Sequence, residues 1–310
     1  MSSGQGPAVS VSIVIITKDT RELLEGCLRS VKKDPSLNTP ATEIIIIDNA
    51  SSDGTDSLVR QTFPDVIYIK NEVNAGFAAA VNRASRAAAG KYILFLNSDT
   101  LLIEGEVAKM VGIADGMHNL GIMGPQLVYG DLSAQRSVAF VPGLKGEIIP
   151  GSRRIKKKGT PDDVADVESL IGAAILVRKS AFDAIGGFDE RFFFFLEETD
   201  LCVRMRAAGC RVVFYPAARV IHLQGKTVRK TWVRGRLEYN ISLRKFIRKH
   251  HARPYSLAFD SVKFVKALMF IVFLPFLLLG ERSRLRYLYY CKLVDWYFSG
   301  CPDNFGLRSQ

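Results

Sequence analysis

Four short apolar runs rich in β-branched residues recur in the first third of the chain: VSIVIIT (11–17), TEIIIIDNA (42–50), VIYIKN (66–71) and KYILFLNSD (91–99). Each leads into a polar or turn-rich loop. Between them lie RELLEGCLRSVKK (21–33), DGTDSLVRQTF (53–63) and NAGFAAAVNRASRAAAG (74–90), whose composition suits helices. Strand and helix alternating at this spacing predict an α/β fold, a mostly parallel sheet with helices on both faces. Sheets of this kind bind ligands at the carboxyl ends of their strands. Thr17, Asp48, Asn74 and Asp99 fall at or just beyond those ends.

With 310 residues and 48% hydrophobic content, the chain can bury one large domain plus an appendage, or two modest domains. Its five cysteines (Cys27, Cys202, Cys210, Cys291 and Cys301) are scattered, odd in number and without a C-x-x-C pair. That spacing suggests neither a disulfide framework nor a zinc site, and it points to a reducing, cytoplasmic compartment. The first apolar run has no basic segment before it and no small-residue cleavage site after it, so it reads as a strand rather than a signal peptide. Charge divides the chain: residues 1–225 hold 25 Lys+Arg against 26 Asp+Glu, whereas residues 226–310 hold 17 against 5. We therefore expect an α/β domain over 1–225 and a basic, apolar helical region over 226–310.

Individual polar residues are ambiguous at this stage. Asp48 can bind a base or ribose, or can cap the following helix with Asn49, Ser51, Ser52 and Asp53. Asp99, beside Asn97 and Ser98, offers hard oxygen ligands to a divalent cation. The run FFLEETDLC (194–202) sets Glu197, Glu198 and Asp200 against a series of phenylalanines. Burying an unpaired carboxylate costs several kcal/mol, at roughly that order, so these charges need a use or a partner.

Taken in order, VSIVIITKD, IIIIDNASSDGT, NEVNAGFAAAVNRA, YILFLNSDT and the block running from GAAILVRKSAFDAIGGFDERFFFFLEETDLCVR to RVIH resemble family 2 glycosyltransferases of the GT-A fold. The resemblance covers about residues 9–250 and is greatest to bacterial rhamnosyltransferase-like members. It implies that Thr17 and Asp48 hold the base and ribose of a nucleotide-sugar donor, and that Asn74, Gly76 and Asn82 lie in a segment passing near it. Asn97 and Asp99 match the ends of the family's D-x-D-type motif, with Asn97 replacing the first Asp. Asp99 is then a ligand of Mg2+ or Mn2+ bridging the donor diphosphate, and His222 matches the family's late metal-binding histidine. In the family's E-D-x-D pattern the second acidic residue is the general base, which falls on Glu198. Glu197 and Asp200 take supporting parts, pairing with Arg204 or Arg206, and Arg136 is an acceptor-side candidate. The phenylalanines Phe192–Phe195 form either core or a wall of the acceptor site.

Beyond His222 the sequence KTVRKTWVRGRLEYNISLRKFIRKHHARP predicts a basic helix ended by Pro254. The apolar stretch Ala267–Leu279 is shorter than the ~20 residues a spanning helix needs, and Pro275 interrupts it. Basic residues interleaved with aromatics suit the surface of an anionic membrane; helices packed on the catalytic domain or on a second copy are the alternative. The RRIKKK run (153–158) is either solvated or in contact with anionic lipid or an acceptor diphosphate. No nucleic-acid-binding module is recognisable. The expected function is inverting, metal-dependent transfer of L-rhamnose from dTDP-L-rhamnose to a lipid-linked saccharide acceptor during cell-surface glycan synthesis, at the inner face of the cell membrane. Another donor (UDP-galactofuranose, a UDP- or GDP-hexose) or a non-catalytic sugar-nucleotide-binding subunit are the rivals.

Overall fold

The computed structural model describes residues 10–149, 164–223, 232–273 and 281–309. The RRIKKK run, the KTVRKT segment and Pro275 lie outside the described residues. The chain divides into two compact units. The described part of the first comprises residues 10–141, 164–190 and 198–223; that of the second comprises 142–149, 191–197, 232–273 and 281–309.

The first unit is built on a nine-stranded sheet. Its opening half follows the alternation seen in the sequence: β1 (Val11–Thr17), α1 (Arg21–Lys33), β2 (Thr42–Asp48), α2 (Thr55–Thr62), β3 (Ile67–Lys70), α3 (Phe77–Ser85) and β4 (Tyr92–Asn97). These four strands pair in the order β3-β2-β1-β4, all parallel. Ile13, Ile15, Ile45, Ile46 and Leu94 are fully buried, because helices cover both faces and leave no side of the strands for water. The helix α1 turns Leu24, Cys27, Leu28 and Val31 inward, one stripe at helical spacing.

The rest of the sheet is mixed. After β5 (Thr100–Leu102), α4 (Glu106–Asp115) and β6 (Leu120–Val128) come β7 (Val138–Ala139), β8 (Ala165–Asp166), β9 (Ser169–Leu170) and β10 (Ala174–Arg178). Strand β10 inserts antiparallel between β4 and β6, and β11 (Arg211–His222) runs parallel to β6 and antiparallel to β5 and β8. The short strands β7 and β9 pair separately. Past the edge of β10 lies α6 (Lys179–Ala184), and α7 (Glu197–Ala207) begins where the chain passes from the second unit back into the first.

The second unit contains α5 (Leu144–Ile148) and three longer helices, α8 (Trp232–His250), α9 (Arg253–Phe273) and α10 (Glu281–Phe298). Leu237, Ile241, Ala267, Leu293 and Trp296 form its core. The expected stop at Pro254 is corrected: α8 ends at His250, and Pro254 is the second residue of α9. Proline is tolerated there because the first amides of a helix have no intrahelical partner to lose. The buried Glu238 accepts a hydrogen bond from the Leu307 amide at 2.9 Å, fastening the C-terminal turns to α8. Phe195 and Leu196, just before α7, both take left-handed backbone conformations, with φ of 72° and 65°. Among the described residues no helix is long and apolar enough to cross a membrane.

Candidate active site

The parallel half of the sheet brings three strand ends into one row. Thr17 pairs in register with Asp48, and Ile16 with Asn97, so the last residues of β2, β1 and β4 stand side by side. A chain of hydroxyls links two of them: Thr17 Oγ1 lies 2.9 Å from Thr20 Oγ1, which lies 2.8 Å from Ser98 Oγ. The Asp48 carboxylate is fully buried, accepting from the Ser51 amide at 2.8 Å and from the Tyr68 hydroxyl. Burial, reinforced by the Asp48 charge, pushes the Tyr68 hydroxyl well above the ordinary tyrosine value.

Asn49 organises the adjoining loop. Its side-chain amide donates to Asn74 Oδ1 at 2.8 Å and to the Gly76 carbonyl at 3.1 Å, while its oxygen accepts from Asn71 and from the Ala75 amide, both at 2.9 Å. Gly76 has φ of 82°, which only glycine adopts without strain, and it turns the chain into α3. Asn82 serves the scaffold: its amide donates to the Phe188 carbonyl at 2.8 Å and to Glu190 at 3.0 Å, and it accepts from the Phe188 amide at 2.9 Å.

Asp99 and His222, far apart in sequence, are neighbours in space because β11 pairs with β5 and sets His222 opposite Thr100. His222 Nε2 lies 3.5 Å from Asp99 Oδ2, and each side chain is 15% exposed. Gln135 donates to the His222 carbonyl and places its own Oε1 3.2 Å from His222 Nδ1. With Nδ1 donating its proton to that oxygen, the Nε2 lone pair points at the carboxylate. Two acceptors then face each other, an arrangement that a proton or a metal cation between them resolves. Two ligands of one cation, each about 2.1 Å from it, can be up to about 4 Å apart, so the pair fits a metal. Among the described residues no group of three or more His, Cys, Asp or Glu is placed to hold a metal ion.

The acidic run opens α7. Glu198 keeps some exposure, yet its carboxyl group is desolvated enough to be pushed up to about 7, against the opposing pull of the Glu198 and Thr199 amides. The antiparallel strand β10 delivers it to the strand-end row. The residue before β10, Ala173, accepts a hydrogen bond from the Asn97 amide at 3.0 Å. Its neighbour Gly172 packs so closely on Glu198 that a methyl group there would lie 3.4 Å from Glu198 Cβ and Cγ. Two residues on, Asp200 is fully buried and receives Arg204 Nε at 2.7 Å; Arg204 also donates to the Ile185 carbonyl at 3.0 Å. Arg206 turns instead to the Val167 and Glu168 carbonyls. Glu197 is buried. Phe192 and Phe193 are buried, while Phe194 and Phe195 keep partial exposure. Arg136 is exposed, with Nε 3.0 Å from the Val138 carbonyl.

Three residues of this site escape a reading of the sequence. Asn49 follows Asp48 directly and reads as a cap; a strand-end asparagine was the available signal. Tyr68 joins the site only through the register of β2 and β3, which sets it opposite Ile46. Gln135 lies in a segment with no local pattern, and only the return of β11 brings His222 to it.

Similarity to known proteins follows the same residues. The model of "Glycosyl transferase family 2" matches residues 12–186, and that of "N-terminal domain of galactosyltransferase" matches residues 161–226. An N-acetylglucosaminyl-diphospho-decaprenol L-rhamnosyltransferase of Mycobacterium tuberculosis is 28% identical over 201 residues, 58% of this chain; the chain spans 66% of that relative's length. The rhamnosyltransferase WbbL of Escherichia coli is 26% identical over 229 residues, 68% of this chain and 83% of the relative. Among solved structures, the mannosyltransferase PcManGT of Pyrobaculum calidifontis, in complex with GDP-Man and Mn2+, superposes with a TM-score of 0.57 at 16% identity, covering 93% of this chain and 87% of that one.

Proposed function

The chain belongs to glycosyl transferase family 2 and has the GT-A fold, and on that premise we propose that it is an inverting rhamnosyltransferase acting on a lipid-linked saccharide. The observation that carries this reading is the convergence of Glu198 on the row of strand ends through Gly172 and Ala173. A desolvated carboxyl group with a pKa of about 7 is matched to accepting a proton at neutral pH. In the reaction, Glu198 takes the proton from an acceptor hydroxyl as its oxygen bonds to the anomeric carbon. The bond from that carbon to the nucleoside diphosphate breaks on the opposite face, which inverts the configuration.

Asp48 and Thr17 hold the nucleoside end of the donor, and Tyr68 keeps the Asp48 carboxylate oriented. The loop pinned by Asn49, with Asn74 and Gly76, lines the donor side. Asp99 and His222 are the residues that would hold Mg2+ or Mn2+, and a bound cation supplies positive charge to the departing diphosphate. Gln135 keeps the His222 ring in the tautomer that binds metal.

The choice of L-rhamnose draws support from the mycobacterial and E. coli relatives, both rhamnosyltransferases, and that of a lipid-linked acceptor from the decaprenol-linked substrate for which the mycobacterial one is named. The same relatives support a place in cell-surface glycan synthesis. The basic helical region of residues 226–310 supports attachment to the inner face of the cell membrane through its anionic surface. A second reading, with a galactosyl nucleotide as donor, draws on the galactosyltransferase match over residues 161–226. Mass spectrometry of products from a panel of nucleotide sugars with a lipid-linked acceptor decides between them. Rhamnosyl transfer from dTDP-L-rhamnose alone is the expected result; hexosyl transfer from a UDP-sugar selects the second reading, and no product from any donor sinks both.

A further inference from the structure

The second unit encloses a cavity of about 200 Å³ between α8, α9 and α10. Arg236, Lys263 and Lys266 face it, with Tyr289 and Tyr290 on the far wall, and the single carboxylate among its lining residues is Glu147 of α5. That carboxylate serves two lysines poorly. Its oxygens lie 3.6 Å from Lys263 Nζ and 3.5 Å from Lys266 Nζ, beyond the roughly 2.7–2.9 Å of a charge-assisted hydrogen bond. Lys266 donates instead to the Glu147 carbonyl at 3.2 Å. Lys263 is only 14% exposed, and its desolvation draws the ammonium below the ordinary lysine value. Arg236 stacks over Trp232 at 5.6 Å and has no carboxylate partner among the described residues. The cavity therefore carries uncompensated positive charge. On its wall Asn240 Oδ1 is buried and receives no donor among the described residues, although the amide nitrogen donates to Tyr289 at 2.6 Å. A ligand that both accepts and donates hydrogen bonds meets these demands.

The same helix has an apolar side. Val265, Leu268, Met269, Val272 and Phe273 are exposed along α9 at i, i+3, i+4, i+7 and i+8 spacing. Lys263, Lys266 and Phe270 occupy the neighbouring stripe, where Phe270 stacks on Tyr290 at 4.4 Å. A basic cavity beside an apolar stripe is complementary to an anionic head joined to an apolar chain.

We propose that this cavity binds the phosphate head of an anionic lipid, with the exposed stripe of α9 lying against the lipid chains. The proposal rests on the membrane-surface attachment put forward above and adds the site at which it occurs. Arg236, Lys263 and Lys266 supply the charge. Glu147 occupies the site as an internal anion that the phosphate displaces, and Asn240 Oδ1 accepts from a hydroxyl of the head group. As phosphate enters, the desolvated Lys263 gains the counter-charge it lacks.

Flotation of the full chain with phosphatidylcholine vesicles, with and without phosphatidic acid, tests it. The wild type is expected to float with the phosphatidate vesicles. Arg236→Gln and Lys266→Gln alter side chains open enough to solvent to leave folding intact, which circular dichroism checks, and Lys263→Gln removes the buried ammonium. Each is expected to weaken binding about tenfold, the effect of one charge-assisted hydrogen bond. Lys292→Gln removes the same charge from α10 outside the cavity lining and is expected to bind as wild type. Wild-type binding that all three cavity variants retain overturns the cavity while leaving membrane attachment standing. Equal losses in Lys292→Gln and the cavity variants reduce the effect to overall charge and overturn it as well. No vesicle binding by the wild type overturns both proposals. If inorganic phosphate protects the wild type against heat while vesicles do not bind, the site takes free phosphate and the lipid assignment is wrong; a dimer in which α9 is covered is likewise contrary to it.

Discussion

His222 Nε2 and Asp99 Oδ2 face each other across 3.5 Å while Gln135 holds the opposite edge of the imidazole. The pair depends on long-range topology: the two arrive on β11 and on the turn after β4, and the ring is oriented by a glutamine from a third segment. If the pair is a metal site, Asp99→Ala and His222→Ala each abolish Mn2+-dependent donor binding. Gln135→Leu, which removes only the orienting group, weakens Mn2+ affinity by about 10–100-fold. Titration of Mn2+ by electron paramagnetic resonance in the presence of nucleoside diphosphate reads all three. Unchanged affinity in Asp99→Ala, or full activity in excess EDTA, rules the site out.

Glu198→Gln retains shape and hydrogen bonding but cannot accept a proton, so turnover falls by roughly 10²–10⁴-fold with donor binding intact. In the wild type, kcat/KM rises with pH and levels off above about 7, the value of the Glu198 carboxyl. A profile whose acid limb lies near the ordinary glutamate value removes Glu198 from the role of base.

The same substitution has a thermodynamic signature of defined sign. The folded-state pKa of Glu198 is raised, so the proton favours the folded state: its contribution is complete below the ordinary value of 4.5 and is lost as pH rises through about 7. Relative to wild type, Glu198→Gln therefore gains stability between those two values, by up to roughly 3 kcal/mol at higher pH. Urea denaturation of both proteins at pH 5 and pH 8 measures it, and a constant difference across that range contradicts the burial argument.

Gly172→Val tests the delivery of Glu198 by β10. A methyl at Gly172 already reaches 3.4 Å from Glu198, and the branched valine extends further, displacing the carboxyl group. A displacement near 1 Å costs on the order of 10²-fold in turnover. Gly172→Ala, which only touches, is expected to keep most activity. Equal activity in the two variants would falsify the close approach.

Tyr68→Phe leaves Asp48 Oδ2 without its phenolic donor inside a fully buried site, a loss of about 1–3 kcal/mol in stability. The affected carboxylate is also the one assigned to the nucleoside, so KM for the donor rises more than kcat falls. Thermal melting together with donor-saturation kinetics checks both; a change in kcat alone places Asp48 elsewhere in the reaction.

The parallel half of the fold was legible because its determinants are local. The run VSIVIIT is β1 from end to end and RELLEGCLRSVKK is α1, and the strand-end positions of Thr17, Asp48 and Asp99 follow from those periodicities. The antiparallel insertion of β10 was not, since AILVR reads like any buried strand and its direction is fixed by partners on β4 and β6. Gln135 and Tyr68 were hidden for the same reason: their roles arise from register and return paths, which leave no trace in neighbouring residues. Pro254 misled because a proline that ends one helix and one that begins the next look alike when the intervening turn is only two residues long.

Phe195 and Leu196 occupy left-handed conformations in succession immediately before α7, each at a cost of order 1–2 kcal/mol for a non-glycine residue. Selection for heat resistance alone has an improvement to find at Phe195, which is partly exposed and where glycine or asparagine relieves that cost; at Leu196 the loss of a buried side chain outweighs it. The same change loosens the segment that fixes where α7 begins and hence where Glu198 stands. Laboratory evolution toward thermostability, run without an activity screen, would therefore accumulate substitutions at Phe195 and yield robust but sluggish enzymes.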